Sequence, residues 1–177
     1  MKNYIYLGLI LLSTTIQAQI YGSDIDISAG YVQDGIGVQG GYGFNVSEVD
    51  RFHLSGRAGF SSQTKQAVDI DFNIYTIQGL YLRRVVNSRR GGINVLLGGG
   101  VVAGYEDISI GSRSVEESVL INNESGFIFG ISIAGEVDFS ISTLSSIFIH
   151  INEQWHLNSD LGKFIPYIGL GYRYTLN

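Results

Sequence analysis

The sequence predicts an all-β protein, an eight-stranded antiparallel up-and-down transmembrane β-barrel, on three observations. Apolar residues alternate with small or polar ones along eight successive stretches, and no stretch keeps a helical period. On the apolar faces, aromatic residues gather towards the strand ends while Ile, Val and Leu fill the middles. The composition, 24 glycines and one proline in 177 residues, suits tight turns and close-packed backbone better than helices. Charged residues make up 15% of the chain, against roughly 25% in soluble domains. The length accommodates one domain with a modest core. A formal charge of −5 removes the electrostatic basis for broad contact with phosphates, so direct nucleic acid binding is not expected.

Residues 1–18 read as a signal peptide: Lys2 supplies the positive start, Tyr4 to Leu12 are apolar, and Gln17-Ala18-Gln19 offers cleavage after Ala18. The run is too short for a spanning helix, which needs about 20 apolar residues. Export to a bacterial outer membrane follows, with residues 19–177 as the barrel domain. Without cysteine, neither a disulfide framework nor a lipid attached to cysteine can form.

The strands then follow in order. The first, from about Asp24 to Tyr31, has Ile25, Ile27, Ala29 and Tyr31 on one face; the second has Ile36, Val38, Tyr42 and Phe44; the third has Phe52, Leu54, Ala58 and Phe60. The fourth carries Tyr75, Ile77 and Tyr81, but Val68, Ile70, Phe72 and Ile74 precede them in the opposite phase, which predicts a bulge near Ile74. The fifth has Ile93, Val95, Leu97, Val101, Ala103 and Tyr105; the sixth has Phe127, Phe129, Ile131, Ile133, Val137 and Phe139. The seventh has Ile147, Ile149, Ile151 and Trp155, and the eighth Phe164, Ile168, Leu170, Tyr172 and Tyr174.

The opposite faces carry Gly, Ser, Asn, Gln and charged residues. A soluble lipocalin-like barrel would also alternate, so shape decides between them. The inside of an eight-stranded barrel is narrow and suits small residues and a few paired charges, whereas bulky side chains belong outside, in lipid. Inward charges must then pair: Asp24, Asp26, Glu136 and Asp138 are expected to meet Arg57, Arg173, His53 and His150 in a network that plugs the lumen. Glu153 breaks the pattern by pointing outward beside Ile151; it must sit near an interface or be turned inward by a bulge.

With both termini in the periplasm, the outer connections are Val32 to Gly35, Ser61 to Ala67, Asp107 to Ser125 and Leu157 to Gly162. The inner ones are Asn45 to Asp50, Val86 to Gly92 and Ser140 to Ser145. The longest falls outside, as outer-membrane barrels require. Its Glu116 and Glu117, and the inner cluster Arg83, Arg84, Arg89 and Arg90, are candidate partner contacts; the arginines suit anionic head groups, an acidic partner, or simple snorkelling at the membrane edge.

Other motifs dissolve on inspection. Gly35 to Gly40 spells GxGxxG but opens an alternating strand, where a dinucleotide site needs a helix N-terminus. Asp69, Asp71 and Asn73 imitate a calcium loop that lacks its glycine and terminal glutamate. His53 and Ser55 share a face, as in some barrel acyl hydrolases, yet no orienting third group can be assigned and His53 lies at the inner end. His150 and His156 have no metal-site context. No catalytic, cofactor-binding or metal-binding residue is assigned.

Tyr167-Ile168-Gly169-Leu170-Gly171-Tyr172-Arg173-Tyr174 resembles the C-terminal signal by which outer-membrane barrels reach their assembly machinery. More narrowly, Gly98 to Glu106 (GGGVVAGYE), Leu120 to Ser142, Ile151 to Trp155 (INEQW) and the GLGYRYTLN end resemble the TraO family of conjugative-transposon transfer proteins, over roughly Gly79 to Asn177. That resemblance implies a non-enzymatic envelope component of a mating apparatus, with outer-membrane lipid and other apparatus proteins as partners and no cofactor. The rival readings are a general small surface or adhesion barrel and a lipid-modifying enzyme.

Overall fold

The computed structural model describes residues 22–65, 68–88, 92–110, 125–159 and 163–176, the side chains at 63–71 and 108–110 excepted. The proposed signal peptide lies outside the described residues. Eight strands follow in order: β1 (Ser23–Val32), β2 (Gly35–Asn45), β3 (Asp50–Lys65), β4 (Val68–Asn87), β5 (Ile93–Ile110), β6 (Gly126–Ser140), β7 (Ser145–His156) and β8 (Phe164–Leu176). Each pairs antiparallel with its neighbours in sequence, and β1 pairs with β8 from Ser23↔Leu176 to Val32↔Tyr167 to close the barrel. Closure leaves no edge strand, which is what permits β-structure to lie in hydrocarbon.

The expected orientation of the faces holds. Phe127 is 81% exposed, Ile36 70% and Ile133 67% on the outer wall, while Asp24, His53, Gln78, Glu136 and His150 are buried inside. The aromatic rings meet across strands at both ends. Phe44, Phe52 and Tyr81 form a run at the termini end, with centroids 5.5 and 5.2 Å apart. At the far end Tyr105 contacts Phe127 at 5.3 Å and Trp155 stacks on Phe164 at 5.9 Å. These are the two girdles of a membrane barrel.

The bulge expected near Ile74 is absent: β4 runs unbroken through Ile74↔Gly59 and Ile74↔Glu106. Phe72 and Ile74 stay in phase and point inward, where they join Val32, Ile128, Ile165 and Tyr167 in a buried apolar cluster at the far end. The phase change in the sequence records what the lumen contains there, not a kink. The irregularity in β4 falls instead between Arg84 and Val86. Another expected connection, Ser61 to Ala67, is mostly strand, because β3 continues to Lys65 and β4 begins at Val68. The inner wall of β4 and β5 is also greasier than expected, with Leu80, Leu82, Leu96 and, on β6, Ala134 in a second buried cluster.

Pro166 fits because of hydrogen-bond parity. The His156 N–H donates to the Lys163 carbonyl at 2.8 Å, so alternation turns Pro166 away from β7 and towards β1. There β1 has already ended, since its last residue, Val32, faces Tyr167. The missing N–H therefore interrupts no pairing.

Inward glycines make seats for large side chains. A Cβ on Gly171 would collide with the Phe148 ring and lie 2.7 Å from the Ile27 carbonyl oxygen, whereas one on outward Gly56 would meet nothing nearer than 4.0 Å. Gly171→Ala should therefore cost about 1–3 kcal/mol through overpacking, and Gly56→Ala should stay within about 0.5 kcal/mol, by urea unfolding in lipid vesicles. Trp155, the single tryptophan, reports depth: its fluorescence should be quenched more by lipids brominated near the head group than by lipids brominated at the tail end.

Candidate functional site: the lumen

From the termini end upward, the lumen holds three kinds of interior. The lowest is ionic. Arg51, at the start of β3, and Arg173, on β8, reach across it from two sides. Arg51 Nη2 donates to Asp24 Oδ1 and, at 3.1 Å, to Asp26 Oδ2, and its Nη1 lies 3.5 Å from Glu136 Oε1. Arg173 places Nη2 2.7 Å from Glu136 Oε1, Nη1 2.5 Å from Asp138 Oδ2 and Nε 3.4 Å from Asp24 Oδ1. His53 Nε2 stands 2.9 Å from Asp26 Oδ2 and His150 Nδ1 3.5 Å from Glu136 Oε2. Ser146 donates to Asp138 at 2.8 Å, and the Arg173 guanidinium lies over the Phe148 ring at 4.5 Å. Every charged side chain here is nearly fully buried, so each charge depends on these partners rather than on water.

Space for this layer is written into β2. A Cβ on Gly41 would overlap His53 Nε2, and one on Gly43 would overlap the Arg51 guanidinium. The glycines thus clear the positions that the imidazole and the guanidinium occupy.

The middle layer is a belt of amides around Arg57. Gln39 Oε1 accepts from Arg57 Nη2 at 2.8 Å and from Gln78 Nε2 at 3.2 Å, and Asn152 Oδ1 accepts from Arg57 Nη2 at 2.7 Å. Gln78 continues to Ser55 at 3.1 Å and accepts from Gln154 at 3.1 Å. The Arg57 guanidinium stacks over Tyr167 at 4.1 Å, whose hydroxyl shares a 2.9 Å hydrogen bond with Ser28. Above this belt lies the apolar cluster of Val32, Phe72, Ile74, Ile128, Ile165 and Tyr167.

The structure therefore brings Asp24, Asp26, His53, Glu136, Asp138, His150 and Arg173 together, and corrects the place of Arg57. No carboxylate meets Arg57 among the described residues; it is held by amide oxygens and an aromatic face. Arg51 supplies the guanidinium that the sequence reading gave to Arg57. The signal is present, since Arg51 shares parity with His53, but the residue falls between the expected turn, Asn45 to Asp50, and the first outward residue of the strand, Phe52. His53 and Ser55 are engaged by Asp26 and Gln78 respectively, inside the closed lumen, so the pair is not presented to lipid. The calcium-like triplet lies on β4: Asn73 faces outward, and the side chains of Asp69 and Asp71 are outside the described residues. Glu153 does point outward: β7 pairs without a break through Glu153↔Ile133 and Glu153↔Pro166, close to the far-end girdle. Of the candidate partner contacts, Arg83 is exposed 3.9 Å from Asp50, and Arg84 lines the termini end of the lumen. Arg89, Arg90, Glu116 and Glu117 lie outside the described residues.

The family described as conjugative transposon protein TraO matches residues 38–176. The chain belongs to the TraO family. The match begins at Val38, so TraO character extends upstream of Gly79 through β2 and β3. No curated protein matches the chain in sequence. Among solved structures it is similar to a major outer membrane protein from Thermus thermophilus, with a TM-score of 0.68, 9% identity, and coverage of 87% of this chain and 98% of that one. Neisserial surface protein A gives 0.62 at 11% identity, covering 87% and 96%. Ail, the attachment invasion locus protein of Yersinia pestis, gives 0.56 at 14%, covering 88% and 99%. At these identities the likeness of this TraO member to the three is one of fold.

Removing Arg51 leaves Asp24, Asp26 and Glu136 short of a cation inside the barrel. Arg51→Met should destabilise the folded protein by about 3–5 kcal/mol, measured by urea unfolding in vesicles; Lys163→Gln, at an exposed far-end position, should change stability by less than about 0.5 kcal/mol.

Proposed function

We propose that this protein is a non-enzymatic barrel of the bacterial outer membrane, serving a conjugative transfer apparatus as a structural or interaction component. Membership of a family described as conjugative transposon protein supports the process. The observation that carries the non-enzymatic role is the filled lumen: the guanidinium–carboxylate layer and the amide belt around Arg57 are each joined across the barrel beneath a buried apolar cluster. In this reading the N-terminal segment is a signal peptide, both termini face the periplasm, and the barrel-assembly machinery inserts the chain. Contacts with other apparatus proteins are made at the ends, through the outer loop with Glu116 and Glu117 and the inner arginines Arg83, Arg84, Arg89 and Arg90.

Deletion of the gene in a donor strain should lower transfer frequency by at least tenfold, with restoration by the intact gene and partial restoration by a variant in which Arg83, Arg89 and Arg90 are replaced by Gln. Unchanged transfer on deletion would overturn the conjugative role in favour of a general surface barrel. A protein recovered without detergent, showing no heat-dependent shift on a gel, would overturn the membrane assignment itself.

A further inference from the structure

The lumen is closed at the far end by its apolar cluster but opens at the termini end into a cup of about 160 Å³, well above the ~30 Å³ that one water occupies in the liquid. Arg51, Arg173, Asp24 and Asp138 form its floor, Arg84 and the amides Asn45 and Asn94 its sides, and serine and threonine hydroxyls of the β6–β7 turn its lip. Three guanidiniums and two carboxylates line it, and Asp26 and Glu136 lie directly behind the floor on the same two arginines, Arg51 and Arg173. Both lining carboxylates are already engaged: Asp24 with Arg51 and Arg173, Asp138 with Arg173 and Ser146.

Arg84 differs from the other two arginines. The difference is that among the described residues it makes no ion pair: its Nη1 donates to the Glu48 carbonyl at 2.9 Å, and its Nε, like those of Arg51 and Arg173, is buried with no hydrogen-bond partner. Its backbone N–H is tied to the Val49 carbonyl at 2.7 Å, which fixes the strand at this point. The one irregularity in the register of β4 falls directly after it, between Arg84 and Val86, and both Val85 and Val86 lie exposed outside. Bulges re-aim side chains in this way. Here the bulge lets two valines face outward while Arg84 remains turned into the cup.

A buried guanidinium N–H without an acceptor is costly, and a planar fork of donors matches an oxyanion. We propose that the cup is a binding site for a small oxyanion, a carboxylate or phosphate group, with Arg84 as its principal ligand and the surrounding hydroxyls and amides completing the hydrogen bonds. Arg51 and Arg173 remain committed to their carboxylates, so the floor supplies no free positive charge and recognition falls to Arg84. The site is independent of the transfer role: it rests on the cup's own chemistry and can be tested on the isolated barrel.

The test uses the full mature barrel in detergent micelles with arginine Nε labelled by nitrogen-15. One arm titrates inorganic phosphate; a second titrates a short peptide with a free C-terminal carboxylate against its amidated twin. A saturable shift of the Arg84 Nε–H resonance is expected in at least one arm, weakened at least tenfold in Arg84→Gln when followed through the Arg51 and Arg173 resonances, less so in Arg84→Lys, and unchanged in Lys163→Gln. Each variant is checked for folding by its heat-dependent gel shift. Binding of the free carboxylate but not the amide assigns the oxyanion to a chain terminus, and binding of phosphate alone assigns it to a phosphate-bearing ligand; both support the site. No saturable shift in either arm, or an Arg84→Gln variant that binds as tightly as the natural protein, overturns it.

Discussion

The pairing of β1 with β8 is the constraint from which the rest of the molecule follows. Each unpaired backbone N–H or C=O in hydrocarbon costs several kcal/mol, so a sheet that spans a bilayer must have no edge. Ten register pairs from Ser23↔Leu176 to Val32↔Tyr167 provide that closure. Once the sheet is closed with eight strands, its inside is too narrow for large side chains on every strand, and its outside must dissolve in lipid. Glycine inside and isoleucine outside are therefore two consequences of one geometry. Gly41, Gly43 and Gly171 show the first in detail: each leaves a space that a neighbouring strand's large side chain fills.

Within that narrow space the ionic layer connects walls that the backbone does not. Arg51 on β3 reaches Asp24 on β1 and Glu136 on β6, and Arg173 on β8 reaches Glu136 and Asp138 on β6. A well-packed apolar filling could be as stable. It would discriminate less well between registers, because a slip of one residue turns every inward side chain out. For a leucine that exchange is cheap in lipid; for Arg51 or Asp24 it is not. The charges thus penalise the wrong pairing more than they favour the right one.

Strand number, order and facing were legible in the sequence because they rest on a period of two sustained over long segments. What was not legible depended on contents rather than period. The inward Phe72 and Ile74 looked like a break, since alternation alone cannot distinguish an apolar patch inside the barrel from a change of face; only the unbroken pairing with Gly59 and Glu106 distinguishes them. Arg57 and Arg51 share parity, and no local signal says which meets carboxylates. That is decided by height along the axis: Arg51 lies level with Asp24 and Glu136, and Arg57 with Gln39 and Asn152. Height depends on the stagger between non-adjacent strands, which accumulates around the barrel and is invisible in any one segment.

The two ends of the lumen differ in a way that bears on what such a barrel can let through. At the far end six apolar side chains, Tyr167 and Phe72 the largest, are buried against one another. Beneath them Arg57 links β3 to β7 through Asn152 and to β2 through Gln39. A solute crossing the barrel would have to displace both layers and then part the guanidinium–carboxylate layer, losing interactions that hold opposite walls together. The cost falls on the fold itself, so passage through the lumen and stability of the barrel are in direct conflict. Contact at the ends involves no such conflict. In the proposed reading, partners are therefore met at the ends of the barrel, while the interior keeps its shape.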